Sequence, residues 1–371
     1  MTVLFMPSAE QKAKSQMGVF ADLLKRKYPI ELEDYQALQQ WSVQNLTTFW
    51  RELWAFADVQ GNPGETVLEQ STMPGAHWFP EARLNFSTNL LHVGRDADTA
   101  LIAISETRPE YRYTYADLRQ VVAGLAGFLQ HECGVEPGDR VAAYLGNTPE
   151  AIIGMLAASR IGAVWTSASP DFGYEGVLDR FGQVKPKVVI AGNGYGYGGK
   201  AIERTGVVKS LQAALPTVRQ WVQVDTLPSA DVIDGAWQWE DVVSRDWPEA
   251  PPRELAFDHP LYILYSSGTT GKPKCIVHGA GGTLLQHAKE LRLHGDISQD
   301  SVFFYYTTTG WMMWNWLASG LMTGATLTPC TPGRMCCGSW RTSWASPTSA
   351  PAPSTSLPVA SRTSSLAKPS T

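Results

Sequence analysis

Two periods of apolar and polar positions organise most of this chain. From about residue 100, apolar runs of four or five residues alternate with stretches whose apolar residues recur every three or four. The runs 101–104, 141–145, 163–167, 188–191 and 221–224 read as strands. Residues 114–131 read as a helix, with Thr114 as cap, Leu118, Val121, Leu125 and Leu129 on one face, and Gly134 just past the end. Thr148-Pro149-Glu150 supplies a cap, a first-position proline and an acidic first turn for a helix running to about Ile161. A third helix is expected near 200–215. Strands alternating with helices predict an α/β fold, with layered, mostly parallel sheets and helices on both faces. Upstream, 32–58 reads as one helix. Phe49, Leu53 and Phe56 share a face, with Trp50 and Trp54 beside it, and a core-facing aromatic stripe is the plain reading. Residues 77–91, rich in aromatics, read as an ordered connector wrapped on the body. The most apolar stretch, 311–327, contains Asn315, Ser319 and two glycines. It is too short and polar for a membrane span and is expected to be a buried helix.

Two more strand-like runs, 261–265 and 275–278, flank the loop that carries most of the visible chemistry. It reads Ser266-Ser267-Gly268-Thr269-Thr270-Gly271-Lys272-Pro273-Lys274. Glycines let backbone N–H groups approach an anion, lysines add point charge, and hydroxyls donate to phosphate oxygens. Nucleoside triphosphate handling is the chemistry implied. The loop is not a Walker A motif, because Ser266 stands where the first glycine belongs and Pro273 follows Lys272. The bland alternative is a polar hairpin turn, which needs neither so many hydroxyls nor two lysines.

Gly194-Tyr195-Gly196-Tyr197-Gly198-Gly199 matches a dinucleotide fingerprint. It follows an expected strand and precedes an expected helix, and Asp225 ends the next strand. Against it, Asp225 falls 31 residues after Gly194, where about 20 is usual. The two tyrosines also crowd a loop that should be bare for a pyrophosphate. On these residues alone a nicotinamide-dependent oxidoreductase and a glycine-rich surface loop both stay open. Lys200, next in line, reads either as an anion contact or as a solvated lysine.

Composition narrows the classes. The chain has 371 residues, 44% hydrophobic and 18% charged, enough for a large core and two domains or more. A net charge of −5 gives no reason to expect nucleic acid. Cys133, Cys275, Cys330, Cys336 and Cys337 form no zinc-binding spacing, and a reduced, cytoplasmic setting is expected. Val3-Leu4-Phe5-Met6 is too short for a signal-peptide core.

The loop 266–274 resembles the phosphate loop of the adenylate-forming, acyl-CoA-synthetase-like superfamily. Residues 138–145 with 147–150, 165–173, 180–183, 195–200, 278–283 and 305–315 are similar to its acetoacetate–CoA ligase branch. The segment 77–91 resembles the extension that precedes the adenylating domain in that branch. The resemblance covers roughly 30–327. It implies an N-terminal extension over 1–95, a partial AMP-binding domain over 96–328, and a tail over 329–371. It implies ATP-dependent activation of acetoacetate or a related short acid and transfer to coenzyme A, with Mg²⁺ on the phosphates, small-molecule partners only, and neither nucleic acid nor membrane. Carried over, Ser266, Ser267, Gly268, Thr269, Thr270, Gly271 and Lys272 cradle the β- and γ-phosphates, with Lys274 beside them. Thr309, Gly310 and Trp311 line the acyl pocket, Trp311 as its wall, with core packing as the alternative for Trp311. His278 is expected to pack or hydrogen-bond at a strand end. The glycine loop 194–199 then belongs to the ligase body. The family's adenylation lysine and its ribose-binding segments are not found, so no catalytic residue and no metal ligand is assigned. An inactive truncated fragment of such a ligase stands as the alternative. Residues 329–371 hold no Asp or Glu, ten serines and seven prolines. Disorder is expected there, with a frameshifted or truncated product as the reading of the abrupt change at 328.

Overall fold

Serine caps start the chain's first two helices. In this computed structural model residues 6–266 and 271–330 are described. Ser8 and Gln11 form a capping box for α1 (Ala9–Lys14), and Ser15 accepts from Gly18 N–H to cap α2 (Gln16–Lys27). The single helix expected over 32–58 is two, α3 (Tyr35–Gln44) and α4 (Leu46–Phe56). Asn45 breaks it at φ −124°, ψ 49°, and its side chain bonds the Trp41 carbonyl, a local alternative to helical pairing. The aromatic stripe is as expected. Phe49 and Phe56 pack on Phe20, with ring centroids 5.8 and 5.0 Å apart. Trp54 turns the other way, onto Phe79 and Phe257 of the main core.

The connector is ordered. It comprises β1 (Gly61–Asn62), β2 (Leu68–Gln70), β3 (His77–Trp78), β4 (Arg83–Leu84) and α5 (Phe86–Leu91). The Asn85 amide donates to the carbonyls of Ser159, Arg160 and Arg253, which pins this segment to the body.

The body follows as β5 (Thr99–Ala103), β6 (Tyr111–Thr114), α6 (Tyr115–Gly127), β7 (Arg140–Tyr144), α7 (Pro149–Arg160), β8 (Val164–Ala168), α8 (Tyr174–Val184) and β9 (Val188–Gly192). Next come β10 (Gly194–Tyr197), β11 (Lys200–Glu203), α9 (Thr205–Ala214), β12 (Gln220–Val224), β13 (Trp237–Gln238), α10 (Trp239–Ser244) and β14 (Leu255–Ala256). The described residues end with β15 (Pro260–Ser266), β16 (Lys274–Gly279), α11 (Ala280–Ala288), β17 (Val302–Phe303), α12 (Met312–Ala318) and β18 (Thr326–Leu327). Thr114 caps α6 through a capping box with Asp117, as its sequence implies, but the helix widens into a π-helical turn at Phe128–Glu132.

The main sheet runs β13-β12-β9-β7-β8-β15-β16, parallel throughout except for the β15–β16 hairpin. A second sheet runs β17-β18-β5-β6. Alternate residues of β7 feed opposite faces. Val141 and Ala143 join α6 and α7 in one apolar cluster, and Ala142 and Tyr144 join α8 and α9 in another. The expected layered α/β architecture is therefore the observed one, with β7 central and α7 buried from Pro149 to Ser159.

Two expectations fail here. The apolar stretch 311–327 is not one helix, because α12 gives way to a 3₁₀ turn (Ser319–Thr323), Gly324 at φ +78° and β18. Gly320 explains the tightening: a side chain there would meet Leu327 and Phe303 at 2.8 Å. The expected disordered tail does not begin at 329. Pro329 accepts from Ile104 N–H, and Cys330 bridges in parallel to Ile104, since a proline carbonyl still accepts. The remainder of the expected tail, 331–371, lies outside the described residues. Among the described residues no helix is long and apolar enough to cross a membrane.

Candidate active site

Parallel strands place their carboxyl ends at one edge of the sheet. Strand order reverses about β7, since β8 lies on one side of it and β9 on the other. Such an edge is where α/β sheets open a crevice. β15 delivers the hydroxyl-rich loop to this edge. Ser266 closes β15 directly opposite Lys274, the first residue of β16. Ser267, Gly268, Thr269 and Thr270 lie outside the described residues. Gly271 sits at φ +145°, a backbone only glycine adopts freely. Lys272 extends into solvent and pairs with Asp179 of α8 at 3.4 Å. An exposed pair of this kind is weak, so the amine is open to a stronger anion. One turn on, the Gln183 amide donates to the Pro273 carbonyl at 3.0 Å. α8 thus braces the loop's exit.

The segment 309–311 comes to the same edge from far along the chain. Thr309 is fully buried, and its hydroxyl donates to the Leu145 carbonyl at the end of β7, at 2.6 Å. The Ser167 hydroxyl of β8 donates to the Thr309 carbonyl at 2.7 Å. Gly310 lies against Phe172, whose ring would be 3.3 Å from an added Cβ. Trp311 is 68% exposed, so core packing is not its role. Trp314 fills that place instead, fully buried, with its indole N–H donating to Asn147 Oδ1 at 3.0 Å. Among the described residues the Asn147 amide nitrogen, buried just past β7, has no hydrogen-bond partner.

Beside this segment opens a cavity of about 680 Å³ lined by Val277, His278, Thr283, His287, Met312 and Trp316. His278 packs on Tyr262 with ring centroids 5.1 Å apart, the packing expected of it, and it also lines the cavity. His287 was not foreseen. It is i+3 from Leu284 and i−4 from Leu291 and so rides the apolar stripe of α11. Its Nδ1 lies 2.7 Å from Ser319 Oγ, which itself donates to the Asn315 carbonyl. The shared proton therefore sits on Nδ1. Burial, with His278 nearby, pushes the imidazole down to about 4, which leaves Nε2 as an acceptor at neutral pH. A histidine on an apolar helical face was the one signal in the sequence, and that pattern more often means packing.

The dinucleotide reading is overturned. Gly194–Tyr197 and Lys200–Glu203 are the two strands of an antiparallel hairpin, not a strand and a helix. Gly198 and Gly199 form its turn at φ +62° and +79°, the backbone of a two-residue turn of this kind. Their N–H groups donate to the Glu106 carboxylate at 3.2 and 2.8 Å. The other two glycines serve close packing, since side chains there would meet Leu227 Cδ2 at 2.6 Å and Thr107 Cγ2 at 2.7 Å. Asp225 accepts from Asn193 at 2.7 Å rather than standing free for a ribose. Lys200 is exposed at the head of β11.

Comparison with known proteins agrees with this geometry. Residues 93–340 match the family model "AMP-binding enzyme", and residues 35–90 match "Acetyl-coenzyme A synthetase N-terminus". The chain is similar to acetoacetyl-coenzyme A synthetase of Rhizobium meliloti, 45% identical over 330 residues, covering 87% of this chain and 50% of that protein. It is similar to acetoacetyl-CoA synthetase of Gallus gallus at 40% identity, covering 86% and 50%. The solved acetoacetyl-CoA synthetase from Streptomyces lividans superposes with a TM-score of 0.86 at 42% identity, covering 90% of this chain and 52% of that one. The chain therefore spans about half the length of the relatives it matches.

Proposed function

The chain belongs to the AMP-binding enzyme family, and from that premise we propose that it serves acetoacetate–CoA ligation, with ATP and coenzyme A as co-substrates. In the first step an acetoacetate carboxylate oxygen attacks the α-phosphorus of ATP. The bond to the bridging oxygen breaks, pyrophosphate leaves and acetoacetyl-adenylate forms. In the second step the coenzyme A thiolate attacks the acyl carbon, and AMP leaves as the thioester forms. A carboxylate is a poor acyl donor, and adenylation supplies the leaving group.

The observation that carries this reading is the shared sheet edge. The loop bounded by Ser266 and Lys274 and the segment Thr309–Trp311 arrive there together, although they are distant in sequence. On this reading Ser266 to Lys272, with Lys274, hold the β- and γ-phosphates. Thr309 and Gly310 fix the floor of the acyl site, and exposed Trp311 is its wall. Catalysis is then mostly positioning plus charge stabilisation on phosphate oxygens. Mg²⁺ bound with the nucleotide would neutralise charge there. Among the described residues no group of three or more His, Cys, Asp or Glu lies together. The cytoplasm, expected from the cysteine spacing, is the compartment this reading takes.

The test is acetoacetate-dependent ATP–pyrophosphate exchange by the purified chain. Exchange that requires acetoacetate, and that falls about 10- to 100-fold in Lys272→Ala, is the expected result. No exchange from folded protein would sink the ligase step and leave nucleotide binding without turnover.

A further inference from the structure

Arg180 of α8 carries a guanidinium that makes no direct ion pair with a carboxylate among the described residues, although the Asp179 charge lies near it. Its guanidinium lies 4.2 Å from the Phe172 ring centroid and 5.6 Å from that of Tyr265. One N–H donates to the Gly176 carbonyl at 2.6 Å. Among the described residues no carboxylate pairs with it, and neighbouring Asp179 is engaged with Lys272. Burial pushes the guanidinium down from its ordinary value, so the protein holds this cation at a cost. Two aromatic faces offset part of that cost and fix the plane of the fork. A half-buried cation without a direct carboxylate partner, held in a fixed plane by two rings, is expected where an anion arrives.

Its neighbours say which anion. Tyr265 directly precedes Ser266, the first residue of the loop assigned to phosphate. Phe172 touches Gly310, in the segment assigned to the acyl group. Lys272 and Pro273 dock on the same helix, through Asp179 and Gln183. Arg180 therefore stands between the two halves of the site, on the side of the phosphate loop.

We propose that Arg180 is a phosphate-binding residue of the nucleotide site, its guanidinium pairing with an oxygen of the bound triphosphate. This rests on the nucleotide-binding reading given above. The test is calorimetric titration of the full chain and of Arg180→Gln with Mg-ATP, with adenosine and with acetoacetate. The expected result is ATP binding weakened about 10- to 100-fold by Arg180→Gln, adenosine binding unchanged, and a shallower salt dependence for ATP. Arg180→Lys keeps the charge but loses the fork and should recover part of the loss. Should Arg180→Gln fail to fold, the same comparison is made with Arg180→Lys, which should weaken ATP a few-fold and leave adenosine unchanged. Equal weakening of ATP and adenosine would mean Arg180 only holds Phe172 and Tyr265 in place, and would overturn the inference. Loss confined to acetoacetate would assign the cation to the carboxylate and overturn it too. A wild-type chain that binds no ATP would fail at the nucleotide reading itself, a result separate from any effect of the substitution.

Discussion

His287 shows how one buried residue ties stability to pH. Its folded pKa of about 4 lies below the ordinary 6.5. Between those values the unfolded chain binds a proton that the folded chain excludes. Stability at this residue is thus full above 6.5 and declines as pH falls toward 4. From pH 6.5 to 5 the loss is about 1.5 kcal/mol, before most carboxylates titrate. His278 is also lowered by burial, so the informative quantity is a difference between proteins. His287→Asn keeps a donor toward Ser319 and should remove most of that slope in urea-unfolding midpoints. Equal slopes in the two proteins would mean the imidazole is not buried in its neutral form. Sequence offered little here, because burial of a polar group is decided by what packs over it. The same holds for the tryptophans. Trp311, Trp314 and Trp316 are alike in sequence, yet Trp311 is exposed and Trp314 is buried. What separates them is that α12 begins only at Met312.

At the scale of elements, the glycine hairpin is the clearest lesson. Gly198-Gly199 between alternating residues is a two-residue hairpin signal, and the same letters spell a dinucleotide fingerprint. The tie is broken by Leu227 and Thr107 packed on Gly194 and Gly196 and by Glu106 seated on the turn. None of these is near in sequence. Glu106→Ala would leave the two turn N–H groups to water. Faster hydrogen exchange is expected across 194–203, with global stability lowered by no more than about 1 kcal/mol. Unchanged exchange at Gly198 and Gly199 would show that the carboxylate does not hold the turn. Helix ends were more legible than helix continuity. Thr114 is legible as a cap from its sequence, whereas the break at Asn45 and the 3₁₀ turn after α12 answer to local competition and close packing.

At the scale of the whole molecule, large apolar side chains are exposed on β16 and on the segment leading into α12. Ile276 and Val277 of β16 are 47% and 57% exposed, and Tyr306, Trp311 and Met312 are 63%, 68% and 46% exposed. β16 is also the outermost strand of the main sheet among the described residues. An open apolar edge invites self-association. Sedimentation should show a concentration-dependent rise in mass that the double variant Ile276→Lys, Val277→Lys reduces. A monomer at all concentrations would count against it. By itself the sequence determined the strands and most helices of the parallel sheet, the hydroxyl- and lysine-rich loop, and the likeness to adenylate-forming ligases. These are local patterns, set by residue type and period within a few positions. The tertiary structure decided the rest: which glycine loop is a hairpin, which tryptophan is buried, and that Thr309 meets Leu145 and Ser167 beside the loop delivered by β15. The Thr309 contacts join residues more than a hundred positions apart, and all of these depend on strand order and register, which no short window of sequence contains.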